Sequence, residues 1–449
     1  MFRLRHGHVS PIRYRRWCRS ACCLSTAVAS VFAAVALNAG AATQWWDASK
    51  SSGLQAGDGD WANSNAATAR RWQTSSSPGT ANPARWTQQN DAVFSTSGTS
   101  SVTVIGTDVF VHAITFDGSG YTITGATGTE LNLTGPDITT NADAIIGVTL
   151  DGTVGLQKWG SSTLILSGTN VYLGDTTIRA GTLQIGNGGT TGNISANSIN
   201  VGISSGAVLS FNRSDSMTVN QKIVGGGSLS QIGSGTTRLS GGANGYNGGT
   251  TVTAGTLLAD NTSGSATGSG TVLVNGTGTL GGTGTISGAV TVASGGTLNP
   301  GPSGASGSAA AVDTLHSGAL TLQSGSFSNF DVATPTNFDK LISSSTLNLG
   351  GALDVNIAAG QTFTAGQTLT LFSGTSESGT FVGIVDGQIV FYVGYAFIAD
   401  YTTTGFNLVA IPEPSAWFAA ALALGAIVFT QRKRVRVYAS SAVKSILNF

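Results

Sequence analysis

The sequence predicts an all-β repeat architecture, and three observations carry that reading. The first is the stretch Leu156 to Leu183, LQKWGSSTLILSGTNVYLGDTTIRAGTL, where short apolar pulses (Leu164-Ile165-Leu166, Val171-Tyr172-Leu173, Ile178 with Leu183) are punctuated by glycine. Apolar residues alternating with Thr and Ser read as half-buried strands, because successive strand side chains point to opposite faces. The second observation is a recurrence. Leu229 to Leu257, LSQIGSGTTRLSGGANGYNGGTTVTAGTL, repeats Gly160 as Gly233, Leu166-Ser167-Gly168 as Leu239-Ser240-Gly241, and Asn170, Tyr172 and Gly174 as Asn244, Tyr246 and Gly248. It closes on Ala254-Gly255-Thr256-Leu257 where the first copy has Ala180-Gly181-Thr182-Leu183. Pulses this short make no sheet alone, so each unit is expected to bury its apolar edge against its neighbours. The third is composition: 64 glycines in 449 residues and only 9% charged residues, with 40% hydrophobic residues and zero net charge. Disorder pairs low hydrophobicity with high net charge, so ordered β structure rich in turns is the reading.

The shared pattern LxGxNxYxGxTTVxAGTL resembles the autotransporter-associated β-strand repeat. That resemblance implies a right-handed parallel β-helix, a solenoid with capped ends.

Taken in order, residues 1–41 read as a signal peptide: an arginine-rich start, an apolar stretch from Ala21 to Leu37, and a small-residue cleavage site at Ala39-Gly40-Ala41. Residues 43–140 form a tryptophan-rich cap and the first coils. Trp45, Trp46, Trp61, Trp72 and Trp86 fall in Asn/Ser/Asp-rich stretches expected as turns, and strand runs are expected at 92–94, 101–105, 109–116 and 121–124. Solenoid ends need capping against edge pairing, which favours a cap over a platform on which glycans stack. The order of this section also resembles the usual lead-in to the repeat family. Residues 141–301 carry the repeats and end in GTGTLGGTGTISGAVTVASGGTLNPG, with Leu280, Ile286, Val290, Val292 and Leu298 spaced by Gly and Thr. Pro300 and Pro302 mark a break. Residues 312–409 have longer runs, expected as strands at 347–357, 367–372 and 388–397, and read as further coils and a C-terminal cap. An outer-membrane barrel does not fit there, since eight strands of about 10 residues with their loops would use the whole region.

Residues 411–434 form a separate device. Pro412-Glu413-Pro414 precedes the apolar run Ala416 to Phe429 and the basic cluster Arg432-Lys433-Arg434, and residues 435–449 follow as a tail. Proline starts a helix, Ala/Leu-rich sequence sustains one, and a basic cluster stays cytoplasmic. This order resembles the PEP-CTERM sorting signal, which implies recognition by an exosortase, a membrane cysteine protease-transpeptidase. As a helix the apolar run spans about 21 Å against a hydrocarbon core of about 30 Å, a short and transient transmembrane helix.

The zero net charge hides a segregation. Basic residues cluster in the leader and after Glu413, leaving ten between them against twenty acidic ones. No basic stripe for nucleic acid is present. Cys18, Cys22 and Cys23 all lie in the leader, so the mature chain has no disulfide and no thiolate chemistry.

Chemistry is sparse. Glycoside hydrolysis needs two carboxylates at a set separation, and the middle offers only Glu130, Glu377 and scattered Asp. Asp58-Gly59-Asp60 lacks the further ligands of a calcium loop and reads as a turn. His112 and His316 are isolated, against zinc or a triad. Asn170 and Asn244 read as satisfying turn backbone, and Thr277/Thr279 and Thr283/Thr285 as ordinary strand residues, not a hydroxyl array. The expectation is a non-enzymatic surface or matrix protein of a Gram-negative-type cell envelope, without metal or cofactor. Its partners would be the export machinery, an exosortase-type enzyme and extracellular polysaccharide. The rival readings are a β-helix polysaccharide lyase or hydrolase and a glycan-binding module.

Overall fold

The computed structural model describes residues 41–48, 54–62, 70–76, 84–107, 109–302 and 312–411. They form a parallel β-solenoid without a helix. One face is a sheet of 14 strands running from Gly59–Ala62 to Ser376–Gly379. A second face is a sheet of 11 strands reaching Gly245–Tyr246, carried on by hydrogen bonds from Ala266 N–H to Thr285 O (2.8 Å) and from Ile286 N–H to His316 O (2.9 Å) into a sheet of six. The third begins as three strands (Val109–Val111, Glu130–Leu133, Thr149–Gly152) and resumes at Ser216–Val219 as a sheet of eight.

Parallel register puts like residues above one another. In the longest sheet Leu164, Leu183, Leu209 and Leu229 stack in one inward column, continued by Thr250, Val272, Val290, Leu320 and Leu347. All but Thr250 are apolar and all are buried. Burying a Leu or Val side chain stabilises by about 1.5–3 kcal/mol, and each column side chain does so against the rungs on either side. The expected core positions Leu280, Ile286, Val290, Val292 and Leu298 are all inside.

The two copies stack differently from the expectation. Leu156–Trp159 pairs with Thr176–Ile178, and Thr163–Leu166 pairs with Thr182–Ile185, so the first copy stacks its own halves. The second does the same through Ser228–Gln231 with Thr250–Val252 and Thr236–Leu239 with Thr256–Ala259. Leu156 lies in the 11-stranded sheet but its equivalent Leu229 lies in the 14-stranded one. The offset between copies is three turns and one face, so the second copy is rotated by one face about the coil.

Several expected strands are broken by corners. Residues 109–116 divide into Val109–Val111 and Ala113–Phe116 on different faces, turning at His112. Residues 347–357 divide at Gly350-Gly351, where Gly351 has φ +68°. Residues 388–397 form a hairpin of Ile389–Tyr392 and Tyr395–Thr402 around Val393-Gly394.

Both ends depart from parallel pairing. At the N-terminal end Thr43–Trp46 pairs antiparallel with Arg70–Gln73. The tryptophans expected in turns are here in strands or beside one: Trp46, Trp61 and Trp72 are fully buried and Trp86 nearly so. Their rings pack edge-on or tilted at 4.6–5.4 Å and continue onto Phe94, which stacks on Phe116. At the other end Thr368–Ser373, Gly405–Ala410, Tyr395–Thr402 and Ile389–Tyr392 form an antiparallel meander.

Candidate functional site

The residues that define the repeat are engaged inside the coil. Asn170 Oδ1 accepts the Leu150 N–H (3.2 Å) from the turn before, and its Nδ2 donates to Asn193 O (2.8 Å) on the turn after. Asn244 does the same between Ile223 N–H (2.8 Å) and Ala266 O (2.7 Å). An asparagine side chain carries both an acceptor and donors, so it replaces a ladder hydrogen bond where the strand is interrupted. Tyr172 and Tyr246 are buried, each with its hydroxyl on the Thr four residues later (Thr176, 2.7 Å; Thr250, 2.6 Å). Burial raises both phenols, with the threonine bond opposing.

The sequence pattern gave no sign of a role for Lys158. Its position in the alternation is inward, and the side chain is fully buried. The ammonium donates to the carbonyls of Trp159 (3.1 Å), Gly160 (2.7 Å), Ser162 (2.6 Å) and Ala180 (3.0 Å). Burial pulls its pKa down to about 8, with the Asp143 carboxylate opposing. At the equivalent corner of the second copy Gln231 Nε2 donates to Gly233 O (2.8 Å) and Gly235 O (3.4 Å). Lys158 is thus a polar plug that gathers corner carbonyls.

Among the described residues, Asp313, Asp331 and Asp339 are brought together in a largely buried setting. Asp339 accepts the N–H groups of Asp313 and Asp331 (2.9 Å each), and Asn356 donates to Asp331 Oδ1 (3.0 Å). Burial pushes Asp339 up to about 7, against those two hydrogen bonds and reinforced by the neighbouring carboxylates. Asp331 and Asp339 are both buried, so neither faces a groove. Among the described residues no group of three His, Cys, Asp or Glu is placed to hold a metal ion. Asp58, expected in a turn, accepts Ser101 N–H (2.7 Å), and Gly59 and Asp60 open a strand. His112 contacts Asp91 at 2.8 Å, a rung-to-rung pair. A cleft of about 370 Å³ is lined by Asn193, Ile199, Met217 and Gln221, and another of about 320 Å³ by Thr285, His316 and Ile342; neither lining includes a carboxylate.

Of the sequence-predicted site residues, Ala41 is the first described residue. Ala39, Pro412, Glu413, Pro414, Arg432, Lys433 and Arg434 lie outside the described residues, as does the apolar run 416–429. Among the described residues no helix is long and apolar enough to cross a membrane. Trp46, Trp61, Trp72 and Trp86 are too buried to stack on a glycan, while Trp45 is half-buried. Trp159, which no sequence motif singles out, is the aromatic that faces outward from the first repeat, 41% exposed.

Coil, inward asparagines and tyrosines together define a parallel β-solenoid with a twice-repeated inward pattern. The family model of the passenger-associated-transport repeat matches residues 156–185 and 229–259, the two stretches found by self-similarity. A curated relative, the adhesin BmaC autotransporter of Brucella suis biovar 1 (strain 1330), is 33% identical over 237 residues, 49% of this chain. The match spans 7% of that relative's length.

Proposed function

We propose that this chain is an exported structural and adhesive protein of a Gram-negative cell surface or extracellular matrix, its solenoid serving as a stiff scaffold that presents an outer face. The observation that carries the reading is the use of the repeat's own residues: Asn170 and Asn244 bridge successive turns, and Tyr172 and Tyr246 are buried with their hydroxyls on Thr176 and Thr250 of the same turn. What the repeat preserves is the coil, so recognition belongs to the outward positions between them. The similarity to an adhesin supports the same reading. No acidic groove favours the lyase or hydrolase alternative among the described residues. The test is a strain lacking the protein, assayed for attachment to abiotic surfaces and to neighbouring cells. Undiminished attachment refutes the adhesive role.

The sorting half rests on the order Pro412-Glu413-Pro414, apolar run, basic cluster. An exosortase-type enzyme acts on this tail after export, with a transient inner-membrane form. Replacing Pro412, Glu413 and Pro414 by alanine is expected to leave the protein in the inner-membrane fraction with an intact C-terminus. Unchanged processing and location would sink the sorting role.

A further inference from the structure

We infer that the outer face around Trp159 is a binding site for a polysaccharide bearing carboxylates, with a sugar ring on the indole and its carboxylate on Arg179. This rests on the adhesive reading above and names the ligand class and the place.

Trp159 ends the strand Leu156–Trp159 at an outward position. Exposure of one apolar residue is ordinary; what distinguishes Trp159 is that its ring is fixed. The indole N–H donates to Asp137 Oδ1 (3.0 Å), and the Arg179 guanidinium lies 5.6 Å from the ring centroid. Arg179 is itself oriented, since its Nε donates to Gln157 Oε1 (3.2 Å). Among the described residues neither terminal amino group of Arg179 has a hydrogen-bond partner, and none of the three ion pairs includes it. A planar guanidinium with its fork unengaged matches a carboxylate in two-point geometry. The fixed, half-open aromatic ring lies with one face under the guanidinium, and its remaining exposed surface matches the C–H face of a sugar.

Two further features fit an occupant. Gly202 follows Thr177 on the next turn, and a Cβ there would meet the Thr177 side chain at 3.6 Å and Thr176 O at 4.0 Å, both ordinary contacts, so packing does not demand glycine. It stands at an outward position without a side chain, one turn on from Thr177. The second repeat also lacks the pair, with Ile232 and Thr253 at the equivalent positions. Stacking of the repeat therefore requires neither Trp159 nor Arg179. Asp137 is the acid at this face, one of its carboxylate oxygens engaged by the indole N–H, and acids farther than about 8 Å are screened at physiological salt.

The test titrates the protein with polygalacturonate and with the same polymer after reduction of its carboxylates. Wild type is expected to prefer the acidic polymer. Trp159→Ile, which carries the residue of the second repeat, is expected to weaken binding about tenfold, a change of about 1.4 kcal/mol, with an unchanged melting temperature. Arg179→Gln is expected to abolish the preference and Arg179→Lys to restore part of it. Equal binding of both polymers, or full binding by Trp159→Ile, overturns the inference. Loss of attachment in a deletion strain, with no polymer bound by wild type, overturns the site alone. Binding as expected, with undiminished attachment of the deletion strain, overturns the adhesive reading and leaves the site.

Discussion

At the scale of single residues, the informative positions are polar and face inward. Lys158 shows how far alternation can be read: the sequence marks position 158 as inward, but only the closed corner shows four carbonyls waiting for a donor. Its folded pKa of about 8 lies below the ordinary lysine value. Between about pH 8 and the unfolded pKa of about 10.4, the unfolded chain binds more protons than the folded one. Stability contributed through Lys158 therefore rises with pH across that window. Denaturant unfolding of wild type should show this rise. Lys158→Gln, which gives this corner the same side chain as Gln231 has in the second copy, should lack it while staying folded. Lys158→Met should cost about 1–3 kcal/mol for each carbonyl left without a partner. Asn244→Ala is expected to destabilise by a similar amount per group, since Ile223 N–H and Ala266 O both lose their partner. Equilibrium urea unfolding checks both. The backbone role of Asn170 and Asn244 was legible from their equivalent positions in turn-rich sequence; the bridging of successive turns was not.

At the scale of elements, the sequence overestimates strand length because a solenoid corner leaves little trace. His112 turns a corner with neither Gly nor Pro, and the run 109–116 looks continuous until the sheets separate. Glycine corners are easier to read. Gly160 has φ +81°, and a Cβ there would lie 2.2 Å from Thr140 O. Gly106 has φ +89° with nothing within 4 Å. Gly106→Ala should therefore cost about 1–2 kcal/mol of backbone strain, and Gly160→Ala clearly more, the difference in urea midpoint reporting the collision. The hairpin at Val393-Gly394 holds the opposite lesson. Val393 adopts φ +50°, a region that Asn or Gly suits and a β-branched residue does not. Val393→Asn is expected to raise stability by about 1 kcal/mol, visible as an increase in melting temperature; a decrease would show that the valine side chain makes a contact worth more than the strain. Threonine gives a smaller correction: the aligned column is Thr236, Thr256, Thr279 and Thr297, one per turn, while the Thr-x-Thr pairs of the sequence do not stack as pairs.

At the scale of the whole molecule, rungs stabilise their neighbours, so the ends matter most. The buried tryptophans close the first turns with large apolar surfaces, and Trp72→Ala should cost about 3–5 kcal/mol, beginning with the N-terminal turns. Hydrogen exchange should show amides of 91–94 and 113–116 losing protection before those of 290–298. Uniform loss along the coil would show that the cap is not a local unit. The sequence by itself determined that the chain is all-β, that it repeats, which residues point inward, and that the repeat's Asn and Gly serve backbone, because these follow from a period of two and from single-residue conformational limits. Only the tertiary structure decided that each copy stacks on itself, that the second is turned by one face, that Lys158 is caged and that Arg179 lies over Trp159. The physical reason is that alternation fixes inside from outside along one strand, whereas the residues consumed in each corner fix which face the next strand joins, and corner length leaves no periodic mark on the sequence.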